Sequence, residues 1–243
     1  MVSQGNYLRE AYIAQLAVRR ASILTSKVSQ DHINGGGISK DDNSPVTIGD
    51  FGAQAIIINS ILKNFPGDEV VGEEDSALIK EKKIDDLIFS NVKSIQEIDS
   101  NSAGELGSIQ SPQEMCEAID NGNSKGGRSG RIWALDPIDG TKGFLRGDQY
   151  AVCLALIVDG EVKVGVVGCP NLPHNLHDLT SKKGGLFTAI KGQGSYFQSL
   201  DEEVTFPFNN TKKIQLHNEF TTDEARVVEG VEKGHSSHGL QSL

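Results

Sequence analysis

The fold of this 243-residue chain is constrained most by two apolar runs that meet at Asp159-Gly160. Residues 150–158 and 162–168 have the composition of strands, and an Asp-Gly pair between such runs favours a tight hairpin. A second hairpin is predicted around Lys191-Gly192-Gln193-Gly194. Because hairpins join antiparallel neighbours, the sequence predicts an antiparallel sheet covered by helices, which is an α+β fold rather than a doubly wound parallel one.

Helices are predicted on the N-terminal side of these strands. Residues 7–28 repeat apolar side chains at helical spacing, and residues 75–98 also have a helical, highly charged composition. Between them, Thr47 and Asp50 have the spacing of a helix N-cap followed by an acidic residue at the third helical position. Ser111-Pro112 begins another helix in the same way. Capping is therefore one interpretation of Asp50, and a role in a functional site is the other.

Composition excludes several classes of protein. The net charge of −10 argues against binding to duplex nucleic acid, which requires a basic face. The three cysteines form no C-x-x-C pair, so neither a disulfide framework nor a zinc knuckle is indicated. The first residues lack the pattern of a signal peptide, and no apolar run approaches membrane-spanning length. We therefore expect a cytoplasmic location and neither nucleic acid nor membrane as a partner. A small-molecule polyanion as substrate is compatible with this charge if metal ions reverse the sign of the local field.

The run from Trp133 to Phe144 contains the strongest candidate site. Asp136-Pro137-Ile138-Asp139 places two carboxylates three residues apart around a proline, and Gly140-Thr141 follows directly. Such a turn can present Asp136, the carbonyl oxygen of Ile138 and Asp139 to one Mg²⁺ ion, because this cation prefers oxygen ligands. A strand that ends in an Asp-Gly turn without any metal is the alternative interpretation.

Two upstream segments change the balance between these interpretations. Val70-Val71-Gly72-Glu73-Glu74 reads as a short strand that leads into two acids, and residues 44–50 lead to Asp50. Together with the turn after Asp136, they resemble the lithium-sensitive, magnesium-dependent phosphatases of the inositol monophosphatase superfamily. The nearest resemblance is to its 3′(2′),5′-bisphosphate nucleotidases of the fungal type, and it rests on residues 40–47, 133–144, 145–160 and 229–238.

The resemblance implies a role for each site residue. Glu73, Asp136, the Ile138 carbonyl and Asp139 would bind two or three Mg²⁺ ions, with inhibition by Li⁺ and Na⁺. Asp50 and Thr141 would deprotonate the attacking water. If a helix begins after Asp139, its first amides, at Gly140 and Thr141, would face the phosphate. Adjacent residues of an extended segment point to opposite sides, so Glu74 is expected at the rim or behind the metal ligands.

The C-terminal segment would supply the nucleotide side of the cleft. By resemblance, Gly234, His235 and Ser236 line it, although an exposed loop histidine is the simpler interpretation of His235. His235 and His238 also have the spacing of a zinc pair, but no third ligand cluster accompanies them.

The resemblance further implies a layered α/β sandwich of the inositol monophosphatase type. Family chains continue for about half as many residues again, so we expect residues 1–230 to form the metal-binding catalytic domain. Residues 231–243 would begin a second, nucleotide-binding α/β portion that is largely missing. Family members are mostly monomeric.

The implied reaction is hydrolysis of the 3′-phosphate of 3′-phosphoadenosine 5′-phosphate to AMP and phosphate, with 3′-phosphoadenylyl sulfate as a second substrate. This activity is linked to sulfur assimilation and to lithium and sodium sensitivity. The alternatives are an inositol phosphate phosphatase and a noncatalytic truncated fragment.

Overall fold

The computed structural model describes residues 6–34, 45–206 and 211–215. Its helices and strands, in chain order, are α1 (Leu8–Ile33), α2 (Pro45–Asn64), β1 (Glu69–Val71), α3 (Ala77–Lys82), α4 (Asp85–Ile98), α5 (Ala103–Leu106), α6 (Pro112–Asp120), β2 (Arg131–Asp139), α7 (Thr141–Arg146), β3 (Ala151–Val158), β4 (Glu161–Pro173), β5 (Lys183–Ile190), β6 (Gly194–Ser199) and β7 (Lys212–Lys213). A 3₁₀ turn, Ser100–Ser102, precedes α5.

The described strands form one seven-stranded sheet in the order β1 to β7. Both predicted hairpins are confirmed: β3 and β4 meet at Asp159-Gly160, where φ is 51° and 77°, and β5 and β6 form the second pair. The purely antiparallel prediction is wrong at one edge, because β1 pairs with β2 in parallel. Helices α3 to α6 lie between these two strands in the chain, which gives the long crossover connection that parallel pairing needs.

Helices α1 and α2 cover one face of this sheet. The side chains of β3 alternate, with Val152, Leu154 and Leu156 buried and Cys153 and Ala155 less buried on the opposite face. The buried side is continuous with the apolar faces of α1 and α2 in one core. The α+β prediction is therefore confirmed, with helices on the N-terminal side of the chain packed on a mostly antiparallel sheet.

Helix starts differ in part from the sequence prediction. Helix α2 begins at Pro45, which suits a first turn because proline lacks the amide proton, so Asp50 lies in the second turn. The capping interpretation of Thr47 and Asp50 is therefore wrong. The start of α6 is confirmed, since the Ser111 hydroxyl accepts a hydrogen bond from the Glu114 amide at 3.1 Å.

Several predicted features lie outside the described residues. These are residues 40–44 and 229–238 of the segments that carry the resemblance, the division between residues 230 and 231, and the nucleotide-side residues Gly234, His235 and Ser236. Within the described ranges, no helix is long and apolar enough to cross a membrane.

Gly143 allows α7 to fold back onto the loop that follows it. A Cβ atom at this position would lie 2.2 Å from the Gln149 carbonyl oxygen, so Gly143→Ala should force the backbone apart and lower the free energy of unfolding by about 1–3 kcal/mol. Urea unfolding measures this loss. Gly67→Ala is the matched control because its Cβ would meet nothing within 4 Å, and equal effects of the two variants would contradict the packing described here.

Candidate active site

The turn after Asp136 is built by a local hydrogen bond and an irregular strand end. The Ile138 amide donates to Asp136 Oδ1 at 3.1 Å, and the pairing of β2 with β3 shifts between Asp136 and Asp139. Ile138 is buried, whereas Asp139 and Gly140 are exposed. Gly140 has a φ of 95°, which L side chains rarely adopt, and it ends the strand so that α7 begins at Thr141. A helix therefore begins directly after Asp139, which is the condition under which the Gly140 and Thr141 amides are expected to face a phosphate.

Helix α7 is anchored to α1, which fixes the turn in space. Phe144 is fully buried and packs edge-on against Tyr150, with ring centroids 5.0 Å apart. The Tyr150 hydroxyl donates to Thr25 Oγ1 at 2.9 Å, and the Ser29 hydroxyl donates to the Phe144 carbonyl at 3.2 Å. The end of β2 is thus held by contacts to a long helix rather than by the turn alone.

Parallel pairing of β1 with β2 brings the second acidic segment to the same place. Val71 lies opposite Ala134, so the chain after β1 leaves the sheet beside Asp136. Burial raises the pKa of Asp136 to about 6, and the negative charges of Glu73 and then Asp139 add to the effect. These three carboxylates therefore act on one another across the two segments.

Asp50 approaches from α2 and is 7% exposed. A Cβ atom on the preceding Gly49 would lie 2.7 Å from Ile138 Cδ1, so this glycine lets the helix pack closely on the turn. Burial raises the pKa of Asp50 to about 8, with further contributions from Glu74, Glu73 and Asp136 in that order. The site thus places a buried carboxyl group beside three other acids.

The two adjacent glutamates divide between the two halves of the site. Glu73 is exposed and interacts with Asp136, whereas Glu74 is half-buried and is the acid that most strongly affects Asp50. Burial, followed by the charge of Glu73, raises the pKa of Glu74. Of the two positions expected for Glu74, the one behind the metal ligands agrees with this division, because Glu74 lies toward Asp50 rather than at the rim. The metal role of Glu73 stays a prediction.

The chemistry of these side chains fits a hard divalent cation. The donor atoms are carboxylate oxygens and a backbone carbonyl, which Mg²⁺ prefers, and a cation would offset the repulsion that raises the pKa values of Asp50 and Asp136. Among the residues that the structure describes, no three acidic, histidine or cysteine side chains already stand at the spacing of a metal-ligand set. The metal assignment of Glu73, Asp136, Ile138 and Asp139 remains a prediction.

A cavity of about 430 Å³ opens beside Glu73 and Asp136. Its remaining wall is mostly apolar and comes from β1 to β4, including Ala134, Ala155 and Val167. The carboxylates therefore lie at the edge of a space that is large enough for a small-molecule ligand.

Residues 8–242 match the model of the inositol monophosphatase family. The chain belongs to this family. It is 49% identical over 243 residues to 3′(2′),5′-bisphosphate nucleotidase 1 of Candida albicans strain SC5314, covering 97% of this chain and 67% of that protein. The 3′(2′),5′-bisphosphate nucleotidase of Emericella nidulans is 50% identical over 96% of this chain and 69% of its own length. The Schizosaccharomyces pombe protein of the same name is 45% identical over 96% of this chain and 66% of its own length.

A solved structure supports the fold independently. CysQ from Bacteroides thetaiotaomicron, described as a bacterial member of the inositol monophosphatase family, superposes with a TM-score of 0.51. It is 21% identical and matches 89% of this chain and 61% of its own, so the likeness concerns the fold alone. The α+β architecture and the family predicted from the sequence are both confirmed.

Proposed function

We propose that this protein is a magnesium-dependent phosphomonoesterase that hydrolyses the 3′-phosphate of 3′-phosphoadenosine 5′-phosphate to AMP and phosphate. The observation that carries the chemistry is the convergence of Asp50, Glu73, Asp136 and Asp139 beside the start of α7. The substrate follows from fungal relatives that are 45–50% identical and are named 3′(2′),5′-bisphosphate nucleotidases. 3′-Phosphoadenylyl sulfate is the proposed second substrate.

Glu73, Asp136, the Ile138 carbonyl and Asp139 would hold Mg²⁺, on which the inositol monophosphatase family generally depends. Bound Mg²⁺ supplies a lowered pKa for a coordinated water and neutralises phosphate oxygens during in-line displacement. The protein contributes the rigid turn that presents Asp136 and Asp139 in one direction. Binding of two or three ions and inhibition by Li⁺ and Na⁺ are part of this proposal.

Asp50 and Thr141 would take the proton from the attacking water. Asp50 is suited to hold a proton because burial and its acidic neighbours raise its pKa to about 8 in the absence of a cation. Thr141 is exposed at the first position of α7, next to Gly140, so the amides of these two residues are free of helical partners and can donate to a phosphate oxygen.

The nucleotide side of the site is proposed from the family resemblance. Gly234, His235 and Ser236 would contact the nucleotide, with residues 1–230 as the catalytic domain and the following residues as the start of the nucleotide-binding portion. A role in sulfur assimilation, a cytoplasmic location and a monomeric state complete the proposal.

The substrate is tested by phosphate release in the presence of Mg²⁺. Two forms are compared, the 243-residue chain and the same chain extended by the C-terminal third of the Candida albicans relative. In the faster form, we expect kcat/KM for 3′-phosphoadenosine 5′-phosphate to exceed that for inositol 1-phosphate by at least about tenfold, because hydrogen bonds to the base and ribose discriminate between the substrates. Chromatography should identify the product as AMP that retains its phosphate at the 5′ position.

Two results would overturn the nucleotidase proposal. A preference for inositol 1-phosphate would establish the inositol phosphate phosphatase instead. Absence of phosphate release from both substrates in both forms would establish the noncatalytic alternative.

A further inference from the structure

Gln54 connects α2 to the acidic segment that follows β1. Its side chain is fully buried. The Gln54 Oε1 atom accepts hydrogen bonds from the amides of Glu73 at 3.1 Å and Glu74 at 3.0 Å. Its Nε2 atom donates to the Glu74 carbonyl at 2.7 Å and, at a longer 3.5 Å, to the Ile119 carbonyl. One amide group therefore binds the backbone of both glutamates.

Two glycines hold this amide in a narrow slot. A Cβ atom on Gly72 would lie 2.8 Å from the Gln54 amide atoms, and a Cβ atom on Gly122 would lie 3.3 Å from Nε2. The Gly72 amide also donates to the Gly122 carbonyl at 2.8 Å, which keeps the two walls together. An amide fits this slot because two backbone N–H groups need an acceptor and the opposite carbonyls need a donor.

The segment needs such support because it lies outside the sheet. Strand β1 ends at Val71, so Glu73 and Glu74 have no ladder hydrogen bonds to β2. A second tether lies further on, where the Ser76 amide and hydroxyl donate to the Asp120 carboxylate at 3.0 and 2.7 Å. The direction of Glu73 toward Asp136 therefore depends on the backbone amides that Gln54 binds.

We propose that Gln54 is a positioning residue of this site, which sets Glu73 toward Asp136 and Glu74 toward Asp50 without itself contacting cation or substrate. The inference rests on the proposed metal site. Residues that orient metal ligands typically change metal affinity by 10- to 100-fold when they are replaced. Cation affinity should therefore depend on a side chain that lies on α2, behind the acidic segment.

Gln54→Met tests this role because it keeps the length of the side chain but removes every hydrogen bond. We expect Mg²⁺ affinity, measured by calorimetry on the 243-residue chain, to fall at least about tenfold. Gln54→Leu should also weaken binding, because its side chain offers the Glu73 and Glu74 amides no acceptor and the Glu74 carbonyl no donor. This second variant tests the positioning role of Gln54 if Gln54→Met does not fold.

Asn59→Leu is the matched control. Asn59 also lies on α2 and donates its side-chain amide to a backbone carbonyl, that of Leu106 at 3.1 Å, outside the acidic segment. This variant should keep its Mg²⁺ affinity within about twofold even where its melting temperature falls. All affinities are measured well below each variant's melting temperature, so that a loss of folded protein does not count as a loss of binding.

The outcomes separate this inference from the proposed function. Unchanged Mg²⁺ affinity in a folded Gln54 variant overturns the positioning role while the metal site stands. An equal loss in Asn59→Leu also overturns it, because the effect would then be general. If the unaltered chain does not bind Mg²⁺, the metal site itself is wrong and the inference fails with it.

Discussion

Replacing Asp50 with alanine is expected to lower kcat by roughly 10²-fold or more while changing the Mg²⁺ dependence little. The expectation follows from the position of Asp50, which is buried beside Glu74 and Glu73 and carries a pKa raised to about 8. A group that accepts a proton in the transition state affects turnover, whereas a metal ligand affects the Mg²⁺ concentration needed for activity. Steady-state kinetics at several Mg²⁺ concentrations separates the two effects.

Asp50→Asn extends the test because it keeps the shape of the side chain and removes only its ability to take a proton. Both variants should lose turnover to a similar extent. Neither should unfold the protein, since each removes a buried ionisable group whose charged form its acidic neighbours disfavour. A shifted Mg²⁺ dependence with intact kcat would instead assign Asp50 to the metal.

Asp139→Asn should lower Mg²⁺ affinity by at least about tenfold. The substitution preserves the shape of the side chain at the exposed end of β2 but removes one negative charge from the group that includes Asp136 and Glu73. Calorimetry on the folded variant measures the loss directly and does not depend on turnover.

Asp159→Asn is the control for this loss. Asp159 lies in the β3–β4 hairpin, at the opposite end of the sheet from Asp139, where its carboxylate accepts a hydrogen bond from the Gly130 amide that an asparagine oxygen can also accept. It removes the same charge, so a general effect of net charge would appear in both variants. Unchanged Mg²⁺ affinity in Asp139→Asn would refute the ligand assignment.

Local signals in the sequence were sufficient for much of the fold. The hairpin at Asp159-Gly160 is specified by two residues that adopt positive φ. The start of α6 is specified by the Ser111 hydroxyl, which lies three residues before the Glu114 amide that it caps. The Asp139-Gly140 turn at the end of β2 could be recognised for a similar reason, because Gly140 adopts the positive φ that ends the strand. In each case the residues that determine the structure are neighbours in the chain.

Features that depend on distant residues were not predicted. The parallel pairing of β1 with β2 joins segments about 60 residues apart, and no local pattern specifies it. Helix α2 begins at Pro45 rather than at the capping pattern around Asp50, which serves the site instead. Gln54 could not be recognised, because a single glutamine in an apolar helix gains its meaning only from the backbone that it contacts.

Phosphate release from 3′-phosphoadenosine 5′-phosphate, followed as Mg²⁺ is added, tests most directly whether the carboxylates around Asp136 form a magnesium-dependent phosphatase site. The 243-residue chain or the extended chain is used, whichever turns over the substrate faster. Release is compared among the unaltered protein, the Asp159→Asn variant and the Asp139→Asn variant. We expect release that requires Mg²⁺ in the first two and that needs at least about tenfold more Mg²⁺ in Asp139→Asn. Release without Mg²⁺ in the presence of a chelator, or the same Mg²⁺ requirement in all three proteins, would contradict the assignment of a magnesium-dependent phosphatase site to these carboxylates.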